Sequence, residues 1–408
     1  MIINSLPYLP MKKIKLLTAV FAVALSLIMG CKKESTKENL DANGSLSKAQ
    51  SSTATQLSPA GQQKLKSLLA AMPARLKDKL KQNSKLVLQT HPEYLEYVRK
   101  AIDPSAVTCN DNTLTNQWLD GQLSDWNREI IDVVLGTEML DLPTYDALVF
   151  ENSSANQTFG VNGEYTQRLT KTFKDLKRFW NIQSDQIVLA AMHGSMLADR
   201  NKVIRTYEAV YGLDPADAAY YADIVTTAVQ VYPQLRGGNH PIFTFNAFAQ
   251  QGFEFPPYGV IPDKIIMGDG IMEAFTAIGF GDVAPQAILA HEYGHHIQFQ
   301  LNLFTGSNTP EATRRTELMA DAYSAYYLSH ARGASMQWKR VQQFLAVFFN
   351  IGDCSFTSSG HHGTPTQRMA AALWGYSVAD GAQKQGHILT AQEFTSRFEA
   401  QLPAILAN

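Results

Sequence analysis

His291, Glu292 and His295 form an H-E-x-x-H set inside the apolar run AILAHEYGHHIQFQLN, residues 287–302. Histidines four apart fall on one face of an α-helix, one turn from each other. Glu292, about 100° round the helix, sits beside that face without competing for its direction. The chemistry such a set serves is metal-assisted hydrolysis: two imidazoles bind zinc, and the glutamate handles the proton of an attacking water. His296 lies about 140° from His291 by the same period and is not counted as a ligand. Gly294 costs the helix about 1 kcal/mol against alanine, which makes sense if another element approaches closely there.

A catalytic zinc takes three protein ligands and leaves one position open. RRTELMADAYSAYY, residues 314–327, supplies Glu317 and Asp321, again four apart on one helical face. Glu317 is the expected third ligand. Asp321 is expected to accept a hydrogen bond from the non-metal nitrogen of a liganding histidine, His291, and so to fix its tautomer. The run ELMADAYSAYYL is too apolar for a solvated face, and two acids within it call for a reason.

The elements that must hold these side chains follow from local signals. Asp282 is the expected cap of the helix carrying His291, with Pro285 in its first turn. The second helix is expected to open at Thr309, with Pro310 and Glu311 in its first turn. Upstream, IFTFNAFAQ (242–250) and DKIIMGDG (263–270) look like short strands, and IMEAFTAIGF reads as a helix. Leucines at helical spacing from about residue 61, and runs such as LTKTFKDLKRFW, predict a mainly helical region over 61–235 with no assigned chemistry. No fixed-period repeat is evident. His193, on an apolar segment beside a glycine, is expected to be a satisfied core residue.

H-E-x-x-H followed by E-x-x-x-D resembles the gluzincin metallopeptidases, the thermolysin-like group. NAFA (246–249) and MGDG (267–270) resemble that group's order, in which an Asn-Ala-aromatic strand and a Gly-Asp-Gly turn precede the zinc helix. AHEYGHHIQ, ELMADAY and HGTPTQRMAAALWGY (362–376) are similar to a bacterial family of neutral zinc metallopeptidases, with its HExGHH helix, E-x-x-A-D helix and later H-G-[ST]-x-x-Q-R segment. The resemblance covers roughly residues 240–378 and does not extend to 61–230. It implies a zincin-like catalytic domain over 236–408 in an α+β, predominantly helical chain. It implies zinc on His291, His295 and Glu317, with Glu292 as general base toward peptide bonds. The strand around Asn246 and Ala247 would bind peptide backbone as an added strand. The donor for the developing oxyanion is expected to be His362, with His361 and Tyr376 left open as alternatives. Gln367 and Arg368 are expected to hold the loop.

The whole chain sets the context. With 408 residues, 45% hydrophobic and 18% charged, it suits one large or two ordinary domains with a sizeable core. A net charge of −2 and no basic stripe exclude nucleic acid as an expected partner. Lys12, Lys13 and Lys15 precede the apolar LLTAVFAVALSLIMG (16–30), which is short for a membrane span and fits a secretory signal. Met11 is an alternative start. LIMGC resembles the bacterial lipoprotein signal, which makes Cys31 the lipid-bearing N-terminus and places the protein in the cell envelope, anchored to a membrane. Residues 31–60, polar and Ser/Thr/Lys-rich, are the expected flexible tether. An oxidising compartment permits a bridge between Cys109 and Cys354, and their separation in sequence leaves it undecided.

The expected activity is therefore zinc-dependent hydrolysis of peptide or protein substrates. Two other readings stand beside it. One is an inactive surface lipoprotein binding a partner on a metalloprotease scaffold; the other is a hydrolase of a non-peptide amide in the envelope.

Overall fold

Short apolar runs build the central sheet. In a computed structural model, the described residues are 58–76, 79–80, 113–304, 309–350, 362–382 and 386–408. The expected signal segment, Cys31, the tether to residue 57, Cys109, Cys354 and His361 lie outside them. The strands are β1 (Val188–Met192), β2 (Ala247–Gln250), β3 (Phe253–Glu254), β4 (Val260–Ile261) and β5 (Lys264–Gly268). β1, β5 and β2 form one sheet in that order, and β3 and β4 form a separate hairpin. β1 runs parallel to β5, with Ala190 opposite Ile266, and β2 runs antiparallel to it, with Phe248 opposite Ile266. Every residue of β5 is buried, which is why KIIMG shows no polar alternation.

Among the described residues, the helices of the N-terminal half are α1 (Pro59–Ala71), α2 (Leu114–Leu123), α3 (Arg128–Gly136), α4 (Leu142–Phe150), α5 (Thr166–Phe179), α6 (Arg200–Tyr211) and α7 (Pro215–Val231). α1 and the turn after it clasp α7. Tyr220 donates its hydroxyl to the Leu68 carbonyl, Tyr221 donates to Leu76, and Arg75 and Lys79 both pair with the buried Asp217. Among its described residues, the region read as mainly helical thus includes a strand, β1. That strand pairs with β5, and the 235/236 boundary expected from sequence falls inside one compact unit, Ala54–Asn408. Lys264 of β5 reaches α4, where its ammonium donates to the Ala147 and Leu148 carbonyls at 3.1 and 2.6 Å. These carbonyls belong to the last turn of the helix, where a cation is favoured.

The C-terminal half adds α8 (Asp269–Ala277), α9 (Ala284–Gln300), α10 (Pro310–Ser329), α11 (Trp338–Asn350), α12 (Pro365–Ala382) and α13 (Ala391–Leu406). The result is mostly helical with small sheets, an α+β arrangement. Thr309 caps α10 as expected, its hydroxyl accepting from the Ala312 amide. Two local expectations are corrected. Asp282 does not cap α9; its carboxylate pairs with Arg340 at 2.8 Å, and Val283 stands at the cap position without a side-chain bond. The strand expected over 242–250 begins only at Ala247. Pro241 opens a 3-10 turn through Thr244, whose first free amide, that of Ile242, is taken by His240 Nδ1. Among the described residues no helix is long and apolar enough to cross a membrane.

Candidate metal centre

From Ala287 to Gln298 every residue of α9 is buried, so its ionisable residues face protein rather than water. A helix in that position needs a partner for each polar group it carries. α9 packs against β2 and β5 on one side and α10 on another. His296 serves the first contact, its Nε2–H donating to the Lys264 carbonyl at 2.8 Å, so it is a structural residue and not a ligand. Gly294 serves the second. A Cβ there would stand 3.2 Å from Ala320 Cα and 3.3 Å from Tyr323 Cδ2, which is the close approach its presence suggested.

That approach brings Glu317 onto the histidine pair. His291 Nε2 and His295 Nε2 lie 3.2 Å apart. Glu317 Oε2 is 3.2 Å from the first, and its Oε1 is 3.3 Å from the second. One ligand atom from each of His291, Glu292 and His295 lies within 4.8 Å of the others, and all three residues are buried. Two imidazole nitrogens and a bidentate carboxylate therefore converge on one point, with the Glu292 carboxylate beside it.

The outward nitrogens are also committed. His291 Nδ1 lies 2.8 Å from Asp321 Oδ1, as expected. Asp321 in turn accepts from Arg368 Nε and Nη2 at 2.8 and 2.7 Å, with both residues almost wholly buried. His295 Nδ1 lies 2.9 Å from Gln298 Oε1, and Gln298 Nε2 donates to the Thr316 carbonyl at 2.7 Å. Both partners are acceptors, so in the neutral ring the proton sits on Nδ1 and the Nε2 lone pair points inward.

The electrostatics favour positive charge at the convergence point. Burial opposes protonation of His291, yet the carboxylates of Asp321, Glu317 and Glu292 outweigh it and raise its pKa to about 10. Burial likewise opposes protonation of His295, and Glu317 chiefly reverses it. Burial alone would raise Glu317; the imidazoles of His362, His295 and His291 hold its carboxyl well below the usual range. With neutral imidazoles, the buried Glu292, Glu317 and Asp321 against Arg368 leave two formal negative charges. Buried charge of that size is retained when paired or when it coordinates a metal. A divalent cation balances it, so the residues fit a metal ion.

The remaining expected residues fall as follows. His362, just ahead of α12, reaches the centre with Nδ1 3.2 Å from Glu317 Oε2. Tyr376 lies eight residues beyond Arg368 on α12, about 12 Å further along the axis at 1.5 Å per residue. Asn246 is buried, its carbonyl accepting from the Gly268 amide, and Ala247 opens β2. β2 is an edge strand with no further strand beside it among the described residues. His193 is not a core residue. It is half-exposed, at the carboxyl end of β1, and its Nδ1 meets Asp269 Oδ2 at 2.7 Å, which raises its pKa.

Sequence reasoning missed Gln298, although it lies three residues beyond His295 on the same helical face. It also gave Arg368 only a loop-holding part, whereas the guanidinium anchors Asp321. Compared with known proteins, the chain matches no family model, no curated sequence and no solved structure.

Proposed function

We propose that the chain is a zinc metallopeptidase of the gluzincin type, with its catalytic residues within 236–408. The observation that carries this reading is the convergence of His291 Nε2, His295 Nε2 and the Glu317 carboxylate within 3.3 Å of one another, with each outward Nδ1 held by an acceptor. Two histidines and a glutamate are a donor set that suits catalytic zinc. A zinc ion held there supplies Lewis acidity, polarising a substrate carbonyl and making water a nucleophile near neutral pH.

The chain's own residues do the rest. Glu292, buried beside the imidazoles, takes the proton of the attacking water and passes it to the leaving amine. His362 donates to the oxyanion that develops on the former carbonyl. The free edge of β2, from Ala247, receives the substrate backbone as an added strand, with Asn246 at its start. Asp321 and Arg368 keep His291 in the required tautomer. Acylation of Cys31 holds the enzyme to a membrane in the cell envelope, where its substrates are peptides or proteins.

The test is metal analysis joined to a peptide-library assay. One zinc per chain at neutral pH is expected. Glu292→Gln should keep the zinc and lose turnover by about 10²–10⁴-fold. A wild-type protein without stoichiometric metal sinks the reading. So does a Glu292→Gln variant that cleaves at the wild-type rate.

A further inference from the structure

We propose that Gln298 is a positioning residue of the metal centre: its side-chain amide sets the tautomer of His295 and spaces the two ligand-bearing helices. The proposal rests on the metal reading given above.

An imidazole offers metal a lone pair from only one nitrogen at a time, and the group facing the other nitrogen decides which. Asp321 settles this for His291, because a carboxylate only accepts. The group facing His295 Nδ1 is a neutral amide, which has two possible orientations. With its NH₂ toward His295 it would donate to Nδ1 and leave the proton on Nε2, closing that nitrogen to metal. The Thr316 carbonyl removes the ambiguity. It too only accepts, so Gln298 Nε2 must face it, at 2.7 Å, and Oε1 must face His295 Nδ1, at 2.9 Å. Gln298 is wholly buried, so no water competes for either bond.

The carbonyl that orients the amide belongs to Thr316, the residue immediately before Glu317. One side chain on α9 therefore touches a ligand imidazole on its own helix and the backbone beside the ligand carboxylate on α10. Both consequences come from the same two hydrogen bonds: His295 presents Nε2, and Glu317 is held at the height of the histidine pair. His291 has an anionic partner and His295 a neutral one, so the centre gains orientation at His295 without a fourth buried carboxylate.

The experiment measures affinity for zinc by chelator competition on the full chain. Gln298→Met, close in volume and unable to hydrogen-bond through an amide, is expected to weaken binding about 10–100-fold. Gln298→Glu still accepts from Nδ1 and is expected to lie between that variant and the wild type. A purely structural role would lower unfolding stability and leave the affinity of the folded protein unchanged. In the zinc-loaded wild type, histidine-labelled NMR should show a slowly exchanging Nδ1 proton on His295, a measurement that needs no variant to fold. A folded Gln298→Met protein binding zinc like the wild type overturns the role of Gln298, as does a rapidly exchanging Nδ1 proton. A wild type that binds no zinc overturns the metal reading itself.

Discussion

Gly375→Ala sets two physical effects against each other with opposite signs. Gly375 lies inside α12, where alanine is favoured over glycine by about 1 kcal/mol on intrinsic propensity. A Cβ at that position would stand 2.3 Å from the Ala322 carbonyl oxygen and 3.1 Å from Ala322 Cα, both backbone atoms of α10. Since even a favourable C–H···O contact sits at about 3.3–3.6 Å, the two helices must part by about 1 Å. Overpacking costs about 1–3 kcal/mol, and a clash with backbone atoms falls in the upper part of that range, so a net loss of about 1–2 kcal/mol is expected. The same displacement pulls Arg368, two turns earlier on α12, away from Asp321, and zinc affinity should fall with stability. Gly121→Ala is the matched control: it too is inside a helix, α2, it is exposed, and nothing lies within 4 Å of its Cβ. That variant should gain up to about 1 kcal/mol. Urea unfolding of the metal-free protein reads both as shifts of midpoint at constant slope. A Gly375→Ala protein as stable as the wild type would refute the claim that backbone contact with α10 decides the residue there.

Three further outcomes are expected. His296→Ala should keep one zinc per chain while losing about 1–3 kcal/mol of stability through the orphaned Lys264 carbonyl, whereas His295→Ala should lose the metal; equal zinc loss in both would contradict the assignment. Burial holds Lys264 down to about 7. Its unfolded pKa is higher, near 10.4, so the full penalty is present below pH 7 and is relieved as pH rises toward the unfolded value. At 1.36 kcal/mol per unit the swing is at most about 5 kcal/mol, and Lys264→Met should flatten it in urea midpoints measured across that window. Asp217 is held below the usual carboxylate range, first by Arg75 and then by Lys79. Its contribution is present above its unfolded pKa and lost as pH falls below it, so hydrogen exchange over 59–76 should quicken in acid and not in Asp217→Asn.

Much of the centre was legible because helical period does the work. His291 with His295, and Glu317 with Asp321, are four apart, and that spacing alone puts each pair on one face. The meeting of the two faces was less legible, since nothing in HEYGH specifies where ELMADAY will dock. Gly294 hinted at it, and Ala320 supplied the answer. Gln298 escaped because a glutamine on a helix is ordinary until a carbonyl on a second helix fixes its amide. Arg368 escaped because its partner, Asp321, lies 47 positions away. The strand at VLAAM was lost among helices, as a five-residue apolar run carries little period of its own. Asp282 had the right chemistry for a cap, but Arg340 offered its carboxylate a stronger bond. IFTF had strand composition, and Pro241 with the His240 ring imposed a turn instead.

The parallel neighbour that β1 gives β5 makes the half carrying the candidate metal centre a poor candidate for transplantation. A gene fragment starting at residue 236 would leave one long side of the central strand bare, a template for sticking to other copies. It would also strand the Lys264 ammonium without the two carbonyls of α4 that receive it. Anyone wishing to graft this centre onto another scaffold, or to express it cheaply for screening, must carry along the stretch from α4 through β1. Nature faces the same restriction when it shuffles segments.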